Sequence, residues 1–152
     1  MAKETNAAAS KVAEKIEQLS SADENKALVR RYYEEVLGER NLTLFDELYA
    51  PDYVIHYGAT NQQWPQPSRE GLRKLLAAYL AAYPDLQFTI EDQIAEGDRV
   101  VTRVTTRGTH IGLLMGIPAT GKYFTAAGIT IDRIAGGKIV ESWGGLTLVN
   151  WL

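Results

Sequence analysis

The chain has 152 residues, of which 45% are hydrophobic and 23% charged, and its formal net charge is −3. This size and composition predict one domain with its own hydrophobic core, and the slightly acidic balance argues against nucleic-acid binding. The sequence has no cysteine, no apolar run of the ~20 residues that a membrane helix needs and no signal-peptide core, so we expect a cytoplasmic protein without disulfides or membrane partners.

The N-terminal residues 1–22 read as a polar, alanine-rich leader. Val12, Ile16 and Leu19 recur at helical spacing, which predicts a short amphipathic helix. Because so little apolar sequence surrounds them, we expect a helical or flexible extension that docks loosely on a domain of residues 23–152.

Three helices are predicted in the first half of that domain. Ser21 and Glu24 fit the Ser-x-x-Glu capping box, which predicts that the first helix begins near Asp23. Asn41 and Ser68 are the predicted caps of the second and third helices. The segment between these two helices has no periodicity and contains two prolines, so we expect a loop there.

From residue 87 the hydrophobic period changes to two, which is the period of a β-strand. The segment RVVTRVTTRG is rich in β-branched residues, and Gly136-Gly137 marks a hairpin turn between two later strands. Helices followed by hairpin-linked strands predict an α+β fold. We expect three main helices on one face of a strongly curved, mostly antiparallel sheet.

The order of these elements resembles the nuclear transport factor 2-like superfamily. The motifs that narrow the resemblance are APDYVIHY, AAYPDLQFTIED, AEGDRVVTRVTTRGTHIG and GITIDRIAGGKIVESW. Together and in this order they are similar to the SnoaL-like polyketide cyclase group, also called ester cyclases, from about Lys26 to the C-terminus. The resemblance implies a cone-shaped α+β barrel. It also implies cofactor-independent acid/base chemistry, of aldol or isomerase type, on a hydrophobic, carbonyl-bearing small molecule.

Three positions depart from the pattern of the family. Its members commonly carry an acid or a histidine at the position of Thr130, glutamine or another residue at Gly128, and an acid at Gly144. We expect all three to face the ligand, but none transfers a proton near pH 7. Two alternatives therefore stay open: a small-molecule binding protein that kept the apolar cavity and lost the catalytic acid, and a dimeric scaffold subunit.

Two histidines and a tyrosine are the remaining candidates for catalysis. His56 stands where many relatives carry a histidine, and we predict that it is a pocket base; the alternative is a partly buried loop histidine. His110 and Tyr33 are predicted hydrogen-bond donors, although His110 could instead anchor the turn that follows it. With only two histidines and no cysteine we predict no metal site, although carboxylates alone could hold a hard cation, and the resemblance implies no cofactor.

Aromatic residues that precede the sheet are predicted to line the pocket or fill the core. The ligand-binding candidates among them are Tyr53, Tyr57, Trp64 and Tyr79. Trp64, bracketed by two prolines, is also a candidate lid. Met115 lies in the glycine-rich segment RGTHIGLLMGIPATGKYF, which we interpret either as a gate over the pocket or as a turn between two strands.

The last candidate for ligand binding is Asp132. Strand alternation places it on the same face as Thr130, which would make it a displaced pocket acid. The alternative that we favour is a carboxylate near the sheet edge, in solvent or paired with Arg103 or Arg133.

The outer face of the sheet is predicted to form a homodimer interface. Ile129, Ile131, Ile139 and Trp143 alternate away from the pocket side of their strands. An uncovered apolar patch of this kind exceeds what a monomer usually exposes.

Overall fold

The structure is a computed structural model that describes residues 2–56 and 68–144. The helical elements are α1 (Ala2–Arg31), a π-helical segment that continues it (Tyr32–Gly38), α2 (Leu42–Leu48) and α3 (Arg69–Ala82). The strands are β1 (Tyr49–His56), β2 (Gln87–Glu96), β3 (Arg99–Thr109), β4 (Tyr123–Ala135) and β5 (Lys138–Gly144). No helix within these described ranges is long and apolar enough to cross a membrane.

The five strands form one sheet in the order β1-β5-β4-β3-β2. β1 runs parallel to β5, and the other three pairs are antiparallel. This confirms the predicted α+β fold with a mostly antiparallel sheet. Among the described strands, β1 and β2 are the two edges and do not pair with each other. The curved sheet therefore does not close into a complete barrel.

The hairpin between β4 and β5 forms at the predicted glycines. Gly136 and Gly137 have φ values of 58° and 73°, which a two-residue turn with both central residues left-handed requires. Ser68 also caps α3 as predicted, because its side chain accepts a hydrogen bond from the backbone N–H of Gly71. Asn41 precedes α2 as predicted but makes no capping hydrogen bond through its side chain.

The first helix begins much earlier than the capping box predicts. α1 runs without a break from residue 2, so Ser21 lies inside the helix instead of starting it. The alanine-rich leader continues the helix because alanine has the highest helix propensity. Val12 and Ile16 are 58% and 61% exposed, so this part of α1 does not pack on the core. The side chain of Leu19 lies outside the described part of the chain.

The core lies between the helices and the inner face of the sheet. Alternation along β3 buries Val100 and Val104 on this face, and the π-helical segment buries Val36 and Leu37 against it. The sheet also bends at bulges, one of which lies in β5 and leaves Val140 without a partner residue on β4.

That bulge corrects part of the predicted dimer surface. Ile139 was expected on the outer face, but it is fully buried in the core because the extra residue shifts the alternation of β5. Ile129 is 59% exposed on the outer face, and Ile131 and Trp143 are half-buried there.

Candidate functional site

A cavity of about 70 Å³ lies between the helices and the inner face of the sheet. A single water molecule needs roughly 10–15 Å³ by the same measure, so this cavity has room for several waters or a small organic group. One wall is apolar and is built by leucines of α3: Leu72, Leu75, Leu76 and Leu80. The rest of the lining consists of tyrosines, further apolar residues and three polar residues of the sheet: Thr130, Asp132 and Ser142.

Of the described residues that line the cavity, one is a carboxylate: Asp132, which is 2% exposed. Asp132 and Thr130 both point inward from β4, as their two-residue spacing predicts. Ser142 lies directly opposite Asp132 on β5, and its hydroxyl donates to Asp132 Oδ1 at 2.5 Å. Burial raises the pKa of Asp132 from its ordinary value of 3.8 to about 6, and the hydrogen bond from Ser142 limits that rise.

Tyrosine side chains surround this carboxylate. Tyr32, Tyr33, Tyr49 and Tyr53 all line the cavity and are buried. Burial raises the pKa of Tyr33 well above its usual value, the negative charge of Asp132 adds to this rise, and a hydrogen bond with Thr130 offsets part of it. Burial likewise raises the pKa of Tyr32 and Tyr49, and phenols with a raised pKa keep their protons at neutral pH, so Tyr32, Tyr33 and Tyr49 are neutral phenols around Asp132.

The predicted position of Asp132 at an exposed sheet edge is wrong. Arg103 instead pairs with Asp92 at 2.7 Å, and Arg133 pairs with Glu141 at 2.9 Å, both on the outer face. Asp132 points to the opposite face and is covered by the tyrosine-bearing elements. Of the two alternative positions, Asp132 therefore occupies the one inside the cavity.

His56 does not reach the cavity, so its predicted role as a pocket base is wrong for this structure. Tyr53 and Ile55 of β1 face inward, and alternation turns His56 outward. Its Nε2 donates to Glu141 Oε2 at 2.7 Å, and its ring stacks on Trp143 with centroids 5.3 Å apart. His56, Glu141 and Arg133 thus form a polar cluster on the outer face, and the hydrogen bonds from His56 and Arg133 lower the pKa of Glu141.

His110 is fully buried but lies outside the cavity lining, which does not support its predicted role as a ligand donor. The backbone N–H of Thr120 donates to His110 Nδ1 at 3.3 Å, and the ring stacks on Tyr83 with centroids 5.2 Å apart. His110 therefore anchors the segment that joins β3 to β4. This was the alternative interpretation of the sequence.

Met115 is exposed and does not line the cavity, so the gate interpretation is not supported for it. Its neighbour Leu114 is fully buried, and the backbones of Leu114 and Ile117 exchange hydrogen bonds across a tight turn. The glycine-rich segment is thus a turn held by one apolar anchor and by His110.

Neither of the two predicted glycines lines the cavity. Gly128 lies on the inner side of β4, and Gly144 faces Thr130 across the strand pair as expected. Gly144 has φ 88°, and a Cβ atom added there would lie 2.6 Å from the carbonyl oxygen of Ile129. In this backbone no acidic side chain fits at position 144, where the resemblance led us to expect one.

The remaining predicted ligand contacts divide into two groups. Tyr33, Tyr53, Tyr79 and Thr130 line the cavity. Tyr57 and the candidate lid Trp64 lie outside the described residues. Within the described ranges, no group of three or more histidine, aspartate or glutamate side chains is placed to hold a metal ion.

Ser142, like Tyr32 and Tyr49, lines the cavity and was not among the candidates named from the sequence. A serine beside a tryptophan in a strand carries no chemical signal of its own, and continuous pairing from the two-residue hairpin would place Glu141 opposite Asp132. The bulge at Val140 places Ser142 there instead.

Comparisons with known proteins agree with this architecture. A family model described as SnoaL-like polyketide cyclase matches residues 27–149. The structure is similar to that of AclR, a proposed hydroxylase from Streptomyces galilaeus (TM-score 0.72, 29% identity, covering 84% of this chain and 77% of AclR). It is also similar to that of IdmH, a proposed polyketide cyclase from Streptomyces antibioticus (TM-score 0.69, 33% identity, covering 82% of this chain and 93% of IdmH).

A third similar structure shares the fold at low sequence identity. It is a proposed SnoaL-like polyketide cyclase from Jannaschia sp. CCS1, with a TM-score of 0.74 and 20% identity over 86% of this chain and 90% of that one. A search among curated protein sequences gave no match.

Proposed function

The chain belongs to the SnoaL-like polyketide cyclase family, within the nuclear transport factor 2-like superfamily, and from this premise we propose a cofactor-independent enzyme in which Asp132 moves the proton. The substrate would be a hydrophobic small molecule that bears a carbonyl group. The observation that carries the proposal is the position of Asp132: it is the one carboxylate among the described residues that line the cavity.

The proposed reaction begins with ionised Asp132. Its raised pKa, about 6, makes it a stronger base than an exposed carboxylate and still leaves it mostly ionised at neutral pH. It removes a proton from a carbon next to a carbonyl group: the C–H bond breaks, an O–H bond forms on Asp132, and the electron pair moves to the carbonyl oxygen. The Tyr33 hydroxyl donates a hydrogen bond to this oxygen as its negative charge develops.

Ring closure then uses the same groups. The enolate carbon attacks a second carbonyl group of the same molecule, and the proton held by Asp132 passes to the new alkoxide. No atoms or electrons are left over, so the aldol step needs no cofactor. The leucine wall of α3 would hold the apolar body of the substrate bent over Asp132, and orientation of this kind contributes much of the rate of an intramolecular reaction.

A small-molecule binding protein is the second candidate function. It is favoured by Thr130, where the resemblance implies an acid or a histidine, and by Gly144, where it implies an acid, because neither residue of this chain transfers a proton near pH 7. A scaffold function is less favoured, because a scaffold has no use for the open cavity beside Asp132.

Proton abstraction from a small activated carbon acid, such as 5-nitrobenzisoxazole, separates the two candidates. We expect measurable turnover by the wild type and a loss of about 100-fold or more in Asp132→Asn, which is typical when a general base is removed. His56→Ala is the matched control: it removes an ionisable side chain from the outer face and should retain activity within about twofold. A wild type that binds apolar ligands and gives no turnover would instead identify a binding protein.

A further inference from the structure

Ser142 and Asp132 form a buried, hydrogen-bonded pair on neighbouring strands. The two residues are directly paired across β4 and β5, and both are almost completely buried. The hydroxyl of Ser142 donates to Oδ1 of Asp132 at 2.5 Å. The other oxygen, Oδ2, accepts no hydrogen bond from the described part of the chain. The two oxygens of the carboxylate are therefore inequivalent before any ligand arrives.

A bulge brings Ser142 to this place. Arg133 pairs with Glu141 while Ile134 pairs with Ile139, so Val140 is the extra residue on β5. Without this extra residue Glu141 would stand opposite Asp132, and two carboxylates would share one buried wall. The bulge thus replaces a second acid by a hydroxyl donor, and it turns Glu141 outward to Arg133 and His56.

We propose that Ser142 is a positioning residue that occupies Oδ1 of Asp132 and leaves Oδ2 as the oxygen that exchanges the proton with the ligand. This inference rests on the proposed function of Asp132. A hydrogen bond to an ionised carboxylate is stronger than one to the neutral acid, so Ser142 also favours the basic form of Asp132 against the effect of burial.

Few other groups control the charge of Asp132. Among the described residues, the phenols of Tyr32 and Tyr33 from the π-helical segment and of Tyr49 from β1 interact electrostatically with it, and the phenol of Tyr53 lines the same cavity. No lysine or arginine lines the cavity within residues 2–56 and 68–144. The segments 57–67 and 145–152 contain no Lys, Arg, His, Asp or Glu in their sequence. Ser142 is therefore the main group that opposes the effect of burial on this carboxylate.

The test compares the titration of Asp132 in the wild type, Ser142→Ala and Ser142→Thr. The carboxyl carbon of Asp132 is followed by carbon-13 NMR and is assigned by its absence in Asp132→Asn. We expect the midpoint to rise by about one pH unit in Ser142→Ala, because a hydrogen bond to a charged group is lost. Ser142→Thr keeps the hydroxyl and should stay near the wild type. Ser142→Cys, with nearly the volume of serine and a weak donor, should shift in the same direction as Ser142→Ala and serves if the alanine variant does not fold.

The pH dependence of kcat/KM for 5-nitrobenzisoxazole provides the second readout. Its acidic limb should move upward together with the NMR midpoint, and at pH 6 Ser142→Ala should lose about fivefold more activity than Ser142→Thr. An unchanged NMR midpoint in both Ser142→Ala and Ser142→Cys would overturn the positioning role, even if Asp132→Asn is inactive. A shifted midpoint with full activity in Asp132→Asn would leave the pairing intact and overturn the proposed function of Asp132 instead.

Discussion

Replacing Asp132 by asparagine should stabilise the protein at neutral pH while abolishing its proposed chemistry. The carboxyl group has a pKa of about 6 in the folded protein and near 3.8 in the unfolded chain. This difference corresponds to about 3 kcal/mol of unfolding free energy. Asparagine keeps the shape of the side chain and an oxygen for Ser142 but carries no charge, so it escapes this cost.

The direction in which the contribution of Asp132 to stability changes with pH follows from proton binding. Between pH 3.8 and about 6 the folded protein keeps the Asp132 proton while the unfolded chain releases it. The stability that Asp132 contributes is therefore complete below pH 3.8, falls as the pH rises through this window, and is lost above pH 6. Relative to the wild type, Asp132→Asn should become more stable by about 2–3 kcal/mol between pH 4 and pH 8.

Urea unfolding of both proteins at several pH values measures this difference directly. Other groups that titrate in the same range affect both proteins alike, so they cancel in the comparison. Asp92→Asn is the matched control, because it removes an exposed carboxylate from the outer face and should change the stability by less than about 1 kcal/mol at every pH. A stability difference between Asp132→Asn and wild type that stays constant from pH 4 to pH 8 would refute the assignment of a buried, ionising Asp132.

Three further predictions concern the rest of the molecule. We expect a homodimer through the outer sheet face, where Ile129 is 59% exposed. Light scattering should give a mass of twice 16.8 kDa for the wild type and the mass of a monomer for Ile129→Asp. A wild-type monomer at micromolar concentration would contradict this interface. Deleting residues 1–20 should change Tm by only a few degrees, because Val12 and Ile16 bury little surface; loss of soluble protein would show that the leader docks on the core. Gly144→Ala should destabilise the protein by about 2 kcal/mol or more in urea unfolding, since the residue has φ 88° and an added Cβ meets the Ile129 carbonyl; an unchanged midpoint would argue against this backbone geometry.

The local signals in the sequence determined much of this fold. Gly136-Gly137 predicted the hairpin because only a left-handed turn joins two strands so tightly, and Ser68 predicted the start of α3 because its side chain satisfies a free N–H. The inward position of Thr130 also followed from strand alternation, whereas its pairing with Gly144 depends on the bulge at Val140. The helix start at Asp23 failed, because a capping box competes poorly with an alanine-rich sequence that already continues the helix.

The identity of the polar site depended on the tertiary structure. Alternation alone placed Asp132 on the inner face, but only the packing of Tyr32, Tyr33 and Tyr49 over that face made it a buried acid. The prediction of His56 as a pocket base was wrong because its place in the motif APDYVIHY does not show which face of β1 carries its side chain. Burial and electrostatic shifts arise from residues distant in sequence, so local patterns do not reveal them.

What the sequence determined by itself is therefore the class of fold, the inward face of β4 and the hairpin, all of which depend on residues within a few positions of each other. What only the tertiary structure decided is the partner of Asp132. One extra residue at Val140 placed Ser142 in the cavity and Glu141 on the outer face. A bulge has this effect because side chains alternate with a period of two, so a single added residue reverses the facing of every residue beyond it.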